Sequence, residues 1–244
     1  MGVFRRKRGD SAKVYLYVSD SKLDMLFEQI PKSVLKSISA EIEVNLRMVK
    51  VKLATAKDAA LVRADKLAIV ERYIDKTFDV GTLQRVGREY YFRGHMPMRW
   101  GFIGSDQTAR QAAPAVVFKS SEGQYTLVLA GSRRNVLASV GDLHEIRSAT
   151  SLPDIAKVLS EYDHDSTSPN NLGDSDQQIF DDAEFLQLSG PTQSVEFLAT
   201  AWGEGDVQSG NSHRHIVIGS PWYVAVAPRE PIPASPSEDT AAQS

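Results

Sequence analysis

The chain has 244 residues, of which 42% are hydrophobic and 24% charged, a composition typical of a globular protein that buries a core. Its longest apolar run, even with prolines counted, is residues 221–228, which is too short to cross a bilayer, and no apolar signal segment follows the basic N-terminus. The absence of cysteine excludes disulfides, thiolate nucleophiles and thiolate metal sites. We therefore expect a cytoplasmic globular protein.

Charge is distributed unevenly along the chain. Residues 1–157 contain 26 Lys and Arg against 17 Asp and Glu, whereas residues 158–244 contain 2 against 14. This asymmetry indicates either two parts of one fold that dock on each other or a basic face for an anionic partner. Nucleic acid is disfavoured as that partner, because the basic residues are dispersed and form no stripe with interleaved aromatic residues.

The first half of the chain is predicted to mix strands and helices. Val14–Val18 is a β-branched and aromatic run, typical of a strand. Ser19, Asp20 and Ser21 form a cluster of N-cap residues before the helix that follows, and Pro31 ends this helix. Apolar and polar residues then alternate over 38–53 with one change of phase, which predicts a long, half-exposed strand with a β-bulge. Residues 57–76 have the apolar spacing of an amphipathic helix.

The second half is predicted to contain more strands than helices. Up to the polar loop over 163–177, the pattern predicts strands over 89–93 and 98–103, a hairpin of 116–118 with 125–129, a short helix from 132 and a helix from 151. After the loop it predicts helices over 178–187 and 191–202 and strands over 215–218 and 223–227.

These elements predict an α+β fold in which helices pack on a mostly antiparallel sheet, in a single globular unit with disordered tails. The expected organisation is a disordered basic arm (1–12), an α+β domain (13–228) and a disordered tail (229–244) rich in Pro, Ser and Ala. Within the domain we distinguish a basic part (13–157), an acidic helical part (158–213) and closing strands (214–228).

Two arginines, a histidine and a tryptophan surround an expected break between two strands, in the segment FRGHMPMRWG (residues 92–101). The side chains of Arg93, His95 and Arg99 could converge on a phosphate or carboxylate, and Trp100 or Tyr91 could stack on a base or ring. The alternative is a bulged hairpin in which Trp100 fills the core and the arginines are solvated.

A second candidate site is the segment LAGSRRNV, in which a strand runs into Gly131 and Ser132 and a helix is expected to begin. The amides of a helix N-terminus bind anions. Arg133 and Arg134 in its first turn oppose the helix dipole, so that a bound anion would complete the site. The alternative is that both arginines pair with carboxylates of residues 158–213.

Histidines offer a catalytic alternative. His213 and His215 would share one face of a strand, and they or His95 could act with an acid from residues 163–176. The aspartates of that segment match no calcium-loop template, and solvated loop residues are the default, so we expect no metal site.

Four blocks together resemble a known family: YLYVSDSKLDML (15–26), FRGHMPMRWG (92–101), LAGSRRNVLA (129–138) and VEFLA with VIGSPWYVA (195–225). The family is an uncharacterised bacterial one, common in actinobacteria and of unknown function, and the resemblance extends over most of residues 13–228. It implies a bacterial cytoplasmic protein with one folded unit and carries no catalytic residue or cofactor.

The leading functional hypothesis is a binding protein for an anionic, nucleotide-like small molecule. In this hypothesis Arg93, Arg99, Arg133 and Arg134 supply positive charge, the Gly131 and Ser132 amides hold oxygens, and His95 and Trp100 complete the site. The alternatives are a hydrolase or transferase that uses the histidines, and a protein-interaction module. Arg5 to Arg8 could add weak contact with an anionic membrane surface. The sequence identifies no cofactor and no oligomeric state.

Overall fold

The computed structural model describes residues 13–42, 56–103, 115–137, 176–188, 190–209 and 212–227. Four α-helices lie in these ranges: α1 (Asp20–Gln29), α2 (Lys32–Glu41), α3 (Ala56–Thr77) and α4 (Asp176–Phe185). The strands are β1 (Val14–Val18), β2 (Val80–Gly81), β3 (Tyr91–Ile103), β4 (Ala115–Glu122), β5 (Tyr125–Ser132), β6 (Gln193–Ser209) and β7 (Ser212–Val226). No helix within the described ranges is long and apolar enough to span a membrane.

Five of the strands close into a barrel. β3 pairs with β4, β4 with β5, β5 with β7, β7 with β6, and β6 again with β3. The β5–β7 pairing is parallel and the other four are antiparallel. β1 extends the sheet along the second half of β7, and β2 adds two parallel residues to the start of β3.

The barrel interior is filled by alternate residues of its strands, as the two-residue period of a strand requires. Phe118 and Phe197 lie near its centre, and the hydroxyl-bearing ring of Tyr17 enters from β1. Even-numbered positions of β3 face inward, and apart from Gly94 they carry the apolar side chains of Phe92, Met96, Met98, Trp100 and Phe102. This cluster forms the main hydrophobic core.

Helices cover two outer faces of the barrel. On one face, α1, α2 and α3 bury an apolar cluster that includes Leu198 and Tyr223 of the sheet. On the other, α4 and the segment after it pack on β4, β5 and β7 through residues such as Val117 and Phe180. Strands buried on both faces lose the apolar–polar alternation that marks a half-exposed strand.

The mixed α+β class expected from the sequence is confirmed, but the structure is mostly sheet, and the sheet that was expected to be mostly antiparallel closes into a barrel. The predicted helix over 191–202 is wrong, because this segment belongs to β6. Val195 and Phe197 point into the barrel, whereas Leu198 packs under the helices, so both faces of the strand are apolar here. A short run of apolar residues without alternation does not distinguish a strand from a helix.

Three other boundaries differ from the prediction. The proposed strand from residue 38 begins inside α2, whose buried Leu35 and Ile38 follow helical spacing. The two strands expected on either side of Gly94 and Pro97 form one continuous strand, β3, and the pair at 215–227 is likewise one strand, β7. The remainder of the strand to residue 53, the helix from 151, most of the loop at 163–177, the arm with Arg5 to Arg8 and the tail lie outside the described residues.

Candidate functional site

Arg93 and His95 lie at the start of β3, on its outer face. The guanidinium of Arg93 forms an ion pair with Asp75 of α3, so its charge is already balanced. His95 Nε2 lies 2.9 Å from Ser194 Oγ on the neighbouring strand β6. Both side chains therefore have partners within the fold at this end of the barrel.

Arg99 and Trp100 are consecutive residues of one strand, so they point to opposite faces. Trp100 is only 5% exposed, stacks on Phe118 in the barrel interior at 5.9 Å between ring centroids, and donates a hydrogen bond from Nε1 to Gln193 Oε1 at 3.2 Å. Arg99 lies outside the barrel. The structure thus separates the tryptophan from the arginine that it was expected to assist.

The segment from Gly131 to Arg134 does not open an α-helix. After β5, Arg133–Asn135 forms a single 3₁₀ turn, and the Ser132 side chain caps no amide. A Cβ at Gly131 would lie 2.6 Å from Tyr17 Cζ and closer still to its hydroxyl, so the missing side chain makes room for Tyr17. Arg133 covers the ring of Phe102 at 4.4 Å, and Arg134 is exposed.

The four candidate arginines do not converge. Arg93 and Arg99 are six residues apart in one strand, which places their Cα atoms about 20 Å from each other. Ser132 pairs with Ala115 of β4, and Arg99 pairs with Lys119 of the same strand. Ala115 and Lys119 are four residues apart, so Ser132 and Arg99 are separated by about 13 Å along the strand direction. Arg133 and Arg134 follow Ser132, and no ion pair joins either arginine to a carboxylate in the part of the chain described.

Arg99 does line a groove, together with Lys119 of β4. The groove has a volume of about 700 Å³ and lies between the outer face of β3 and β4 and the segment that follows α4. Its walls are formed by Pro97, Arg99, Lys119, Ser120, Ser121, Glu122, Leu186, Gln187, Leu188 and Thr192. The guanidinium of Arg99 is held by its Nε donating to Thr192 Oγ1 at 3.2 Å and its Nη1 donating to Leu188 O at 3.4 Å.

Lys119 closes the C-terminal end of α4. Its Nζ donates to the main-chain carbonyl oxygens of Glu184 and, at 2.8 Å, of Leu186. Carbonyls at a helix C-terminus lack intrahelical partners, and a cation there also suits the helix dipole. Burial lowers the pKa of the Lys119 ammonium to about 8, while the Glu184 carboxylate opposes this shift and Arg214 adds to it.

The Glu184 carboxylate is occupied by other groups. It accepts a hydrogen bond from Thr126 Oγ1 at 2.7 Å and forms an ion pair with Arg214 Nε at 3.0 Å. Within the described ranges, no carboxylate lies at ion-pair distance from Arg99 or Lys119. The groove is therefore lined by two cations that form no ion pair with a described carboxylate, while Glu184 acts on Lys119 from a longer distance and Glu122 also lines the groove.

His213 and His215 are brought together, as expected, on one face of β7. His215 Nδ1 lies 3.0 Å from Asp206 Oδ1 and its Nε2 lies 3.5 Å from Glu204 Oε2, while His213 Nδ1 lies 3.8 Å from the same Asp206 oxygen. The two ring nitrogens of His215 thus face two different carboxylates. Among the residues that the structure describes, no group of three or more His, Asp or Glu is placed to hold a metal ion.

Lys119 is the site residue that sequence reasoning missed. It has a detectable signal: in the run VVFK it shares a strand face with Val117, which is buried under α4. A lysine on a buried face either snorkels to solvent or finds carbonyl or carboxylate partners. Thr192 carries no such signal, because its segment was predicted to be helical.

The low pKa of Lys119 predicts that the wild-type protein gains stability relative to Lys119→Met as the pH rises from about 8 toward 10.5. The unfolded chain keeps the ordinary lysine pKa, so between these values the unfolded state binds more protons, and a rising pH favours the folded state. Urea unfolding of both proteins over this pH range gives the difference between their free energies of unfolding. The contributions of other titrating groups are common to both proteins and cancel in this difference. A stability difference that does not change with pH would contradict the prediction.

Comparisons with known proteins give one result. A sequence model for the family described as "Family of unknown function (DUF7019)" matches residues 13–228. No curated protein and no solved structure matches the chain. The expectation of a family of unknown function is confirmed: the chain belongs to the DUF7019 family.

Proposed function

We propose that the protein binds an anionic small molecule in the groove between Arg99 and Lys119. The proposal keeps the binding function and the cytoplasmic location expected from the sequence, but narrows the site to one of the four candidate arginines and adds a lysine. The other three arginines are remote from the groove or engaged elsewhere: Arg93 pairs with Asp75, Arg133 covers Phe102 and Arg134 follows it in the same turn.

The observation that carries the proposal is the register of β3 and β4. Arg99 and Lys119 are direct cross-strand partners, so their Cβ atoms lie about 5 Å apart on the same face. Like charges in this position destabilise a sheet. A carboxylate or phosphate bound between them would accept charge-assisted hydrogen bonds from both, and such bonds are about twice as strong as neutral ones.

The walls of the groove suggest the class of ligand. Its volume is in the range of sites that bury a small organic molecule. Leu186, Leu188 and Pro97 provide an apolar side, and the hydroxyl of Ser121 and the amide of Gln187 provide hydrogen-bonding groups. This favours an organic anion over an inorganic one. A nucleotide remains within the proposal, although Trp100 does not face the groove.

Replacement of Arg99 by glutamine is expected to weaken binding of ATP, used as a probe, by at least about tenfold, because one charge-assisted hydrogen bond contributes about 1.5–3 kcal/mol. The melting temperature should change little, since the Arg99 side chain donates only two long hydrogen bonds to the protein. Isothermal titration calorimetry with ATP, and with citrate as an anion without a base, measures the effect.

The matched control is Arg134→Gln, which removes an equal charge from an exposed arginine of the 3₁₀ turn. This variant should bind both probes as the wild type does. An equal loss in both variants would indicate attraction by overall charge and would refute a site at Arg99. The absence of binding by the wild type to either probe would refute the proposal for these ligand classes.

A further inference from the structure

We propose that Lys119 is a nucleophile whose ε-amine condenses with the carbonyl group of an oxo acid held by Arg99. This inference rests on the proposed function, because it assumes that the groove binds an anion. It names the substrate class: a carboxylate or phosphate that also contains an aldehyde or ketone.

The geometry places an amine where such a carbonyl would lie. The hydrogen bonds to the Glu184 and Leu186 carbonyls hold Nζ at the end of α4, where Leu186 and Lys119 both line the groove. An ammonium group has three N–H donors, and two are used by these carbonyls. Across the strand pair, Arg99 holds the acid group about one residue spacing away, which matches a molecule whose carbonyl is a few bonds from its carboxylate.

The amine is also available in its reactive form. Only the neutral amine attacks a carbonyl, and desolvation is a standard means of activating a lysine for this reaction. With a pKa of about 8, roughly a tenth of Lys119 is neutral at pH 7, against well under about a thousandth of an ordinary lysine. The charged groups around Lys119 are Glu184 and Arg214 behind it, and Arg99 and Glu122 along the groove.

The step is balanced without an oxidant or reductant. The nitrogen lone pair forms a bond to the carbonyl carbon, the C=O π electrons move to oxygen, and a proton passes from nitrogen to that oxygen. The nitrogen lone pair then forms the C=N bond of an imine, and the hydroxyl group leaves as water with the remaining proton of the nitrogen. The reaction is reversible, and hydrolysis returns the free amine and the oxo acid.

Reductive trapping tests the proposal. The full-length protein is incubated with glyoxylate and sodium cyanoborohydride, which reduces an imine to a stable secondary amine, and each lysine is quantified by peptide mass spectrometry. Lys119 should be modified at least about tenfold faster than the exposed Lys36 of α2, given its larger neutral fraction. The uncharged acetaldehyde should show less preference for Lys119, and Arg99→Gln should reduce the preference for glyoxylate.

Citrate binding by the wild-type protein separates this inference from the function beneath it. In Lys119→Arg the adduct at position 119 should disappear, while the exposed Lys36 should react at its wild-type rate. Modification of Lys119 no faster than Lys36, with citrate binding retained in the wild type, would overturn the nucleophile alone. If the wild-type protein shows no preference for modification at Lys119 over Lys36 and binds neither citrate nor ATP, the proposed function is overturned as well.

Discussion

Replacement of Phe118 by alanine is expected to lower the free energy of unfolding by about 3–5 kcal/mol, the usual cost of removing a buried phenylalanine. Phe118 is fully buried at the centre of the barrel, where its ring packs against Tyr17 at 6.1 Å and Trp100 at 5.9 Å between centroids. The barrel cannot shrink to fill the cavity, because β4 is hydrogen-bonded to strands on both sides. Urea denaturation followed by tryptophan fluorescence and circular dichroism measures the loss.

The control is the same substitution at Phe185, the last residue of α4, which is 70% exposed. Its removal should cost less than about 1 kcal/mol, since surface substitutions away from specific contacts have small effects. Equal losses in the two variants, or a loss below about 1 kcal/mol for Phe118→Ala, would show that Phe118 does not lie in a rigid core.

Replacement of Gly131 by alanine is expected to cost about 2–3 kcal/mol, because the new methyl group overpacks the barrel. Its carbon would lie 2.6 Å from Tyr17 Cζ and 2.9 Å from Cε2. Tyr17 cannot yield easily: it is 1% exposed, and its hydroxyl accepts a hydrogen bond from the buried Asn135 Nδ2 at 3.3 Å. Thermal and urea unfolding measure the effect.

Two further variants distinguish this contact from a ligand-binding role for Gly131. Ser132→Ala changes the next residue, whose side chain caps no amide, and should leave stability nearly unchanged. Adding Tyr17→Leu to Gly131→Ala should cost less than the sum of the single changes, because the two residues are in contact. If Gly131→Ala abolished ATP binding but left the free energy of unfolding unchanged, this result would instead support the site predicted from the sequence.

Local signals in the sequence are enough to place several elements. The strand β1, the helices α1 and α3 and the β4–β5 hairpin have clear periodicity or turn residues, and these predictions are confirmed, but the Ser19 side chain forms no capping hydrogen bond at the start of α1. The closure of the barrel is not visible in the same way. It depends on the parallel pairing of β5 with β7, whose partners are about ninety residues apart, such as Tyr125 with His215.

The candidate site shows the same division between local and distant information. Arg99 was predicted as a binding residue, but Gly94 and Pro97 led to an expected strand break and hid the fact that Arg99 and Trp100 must point to opposite faces. Pro97 has no N–H to donate, and it is tolerated because only β6 pairs with β3 at this position. The pairing of β3 with β4 begins at Arg99. Phe197 fills the space that a Cβ at Gly94 would occupy. Neither the strand pairing at Pro97 nor the packing of Phe197 at Gly94 can be predicted from the residues next to them in the sequence.

The pairing of β7 also has a consequence for the synthesis of the protein. β7 contacts β1, β5 and β6, so three strands have an unsatisfied edge until it is made. As the chain leaves the ribosome, β1 and the β4–β5 hairpin must wait for residues 212–226 to emerge before the barrel can close. Exposed strand edges pair readily with other chains, so these three edges are the places where the incomplete chain is most open to association during translation.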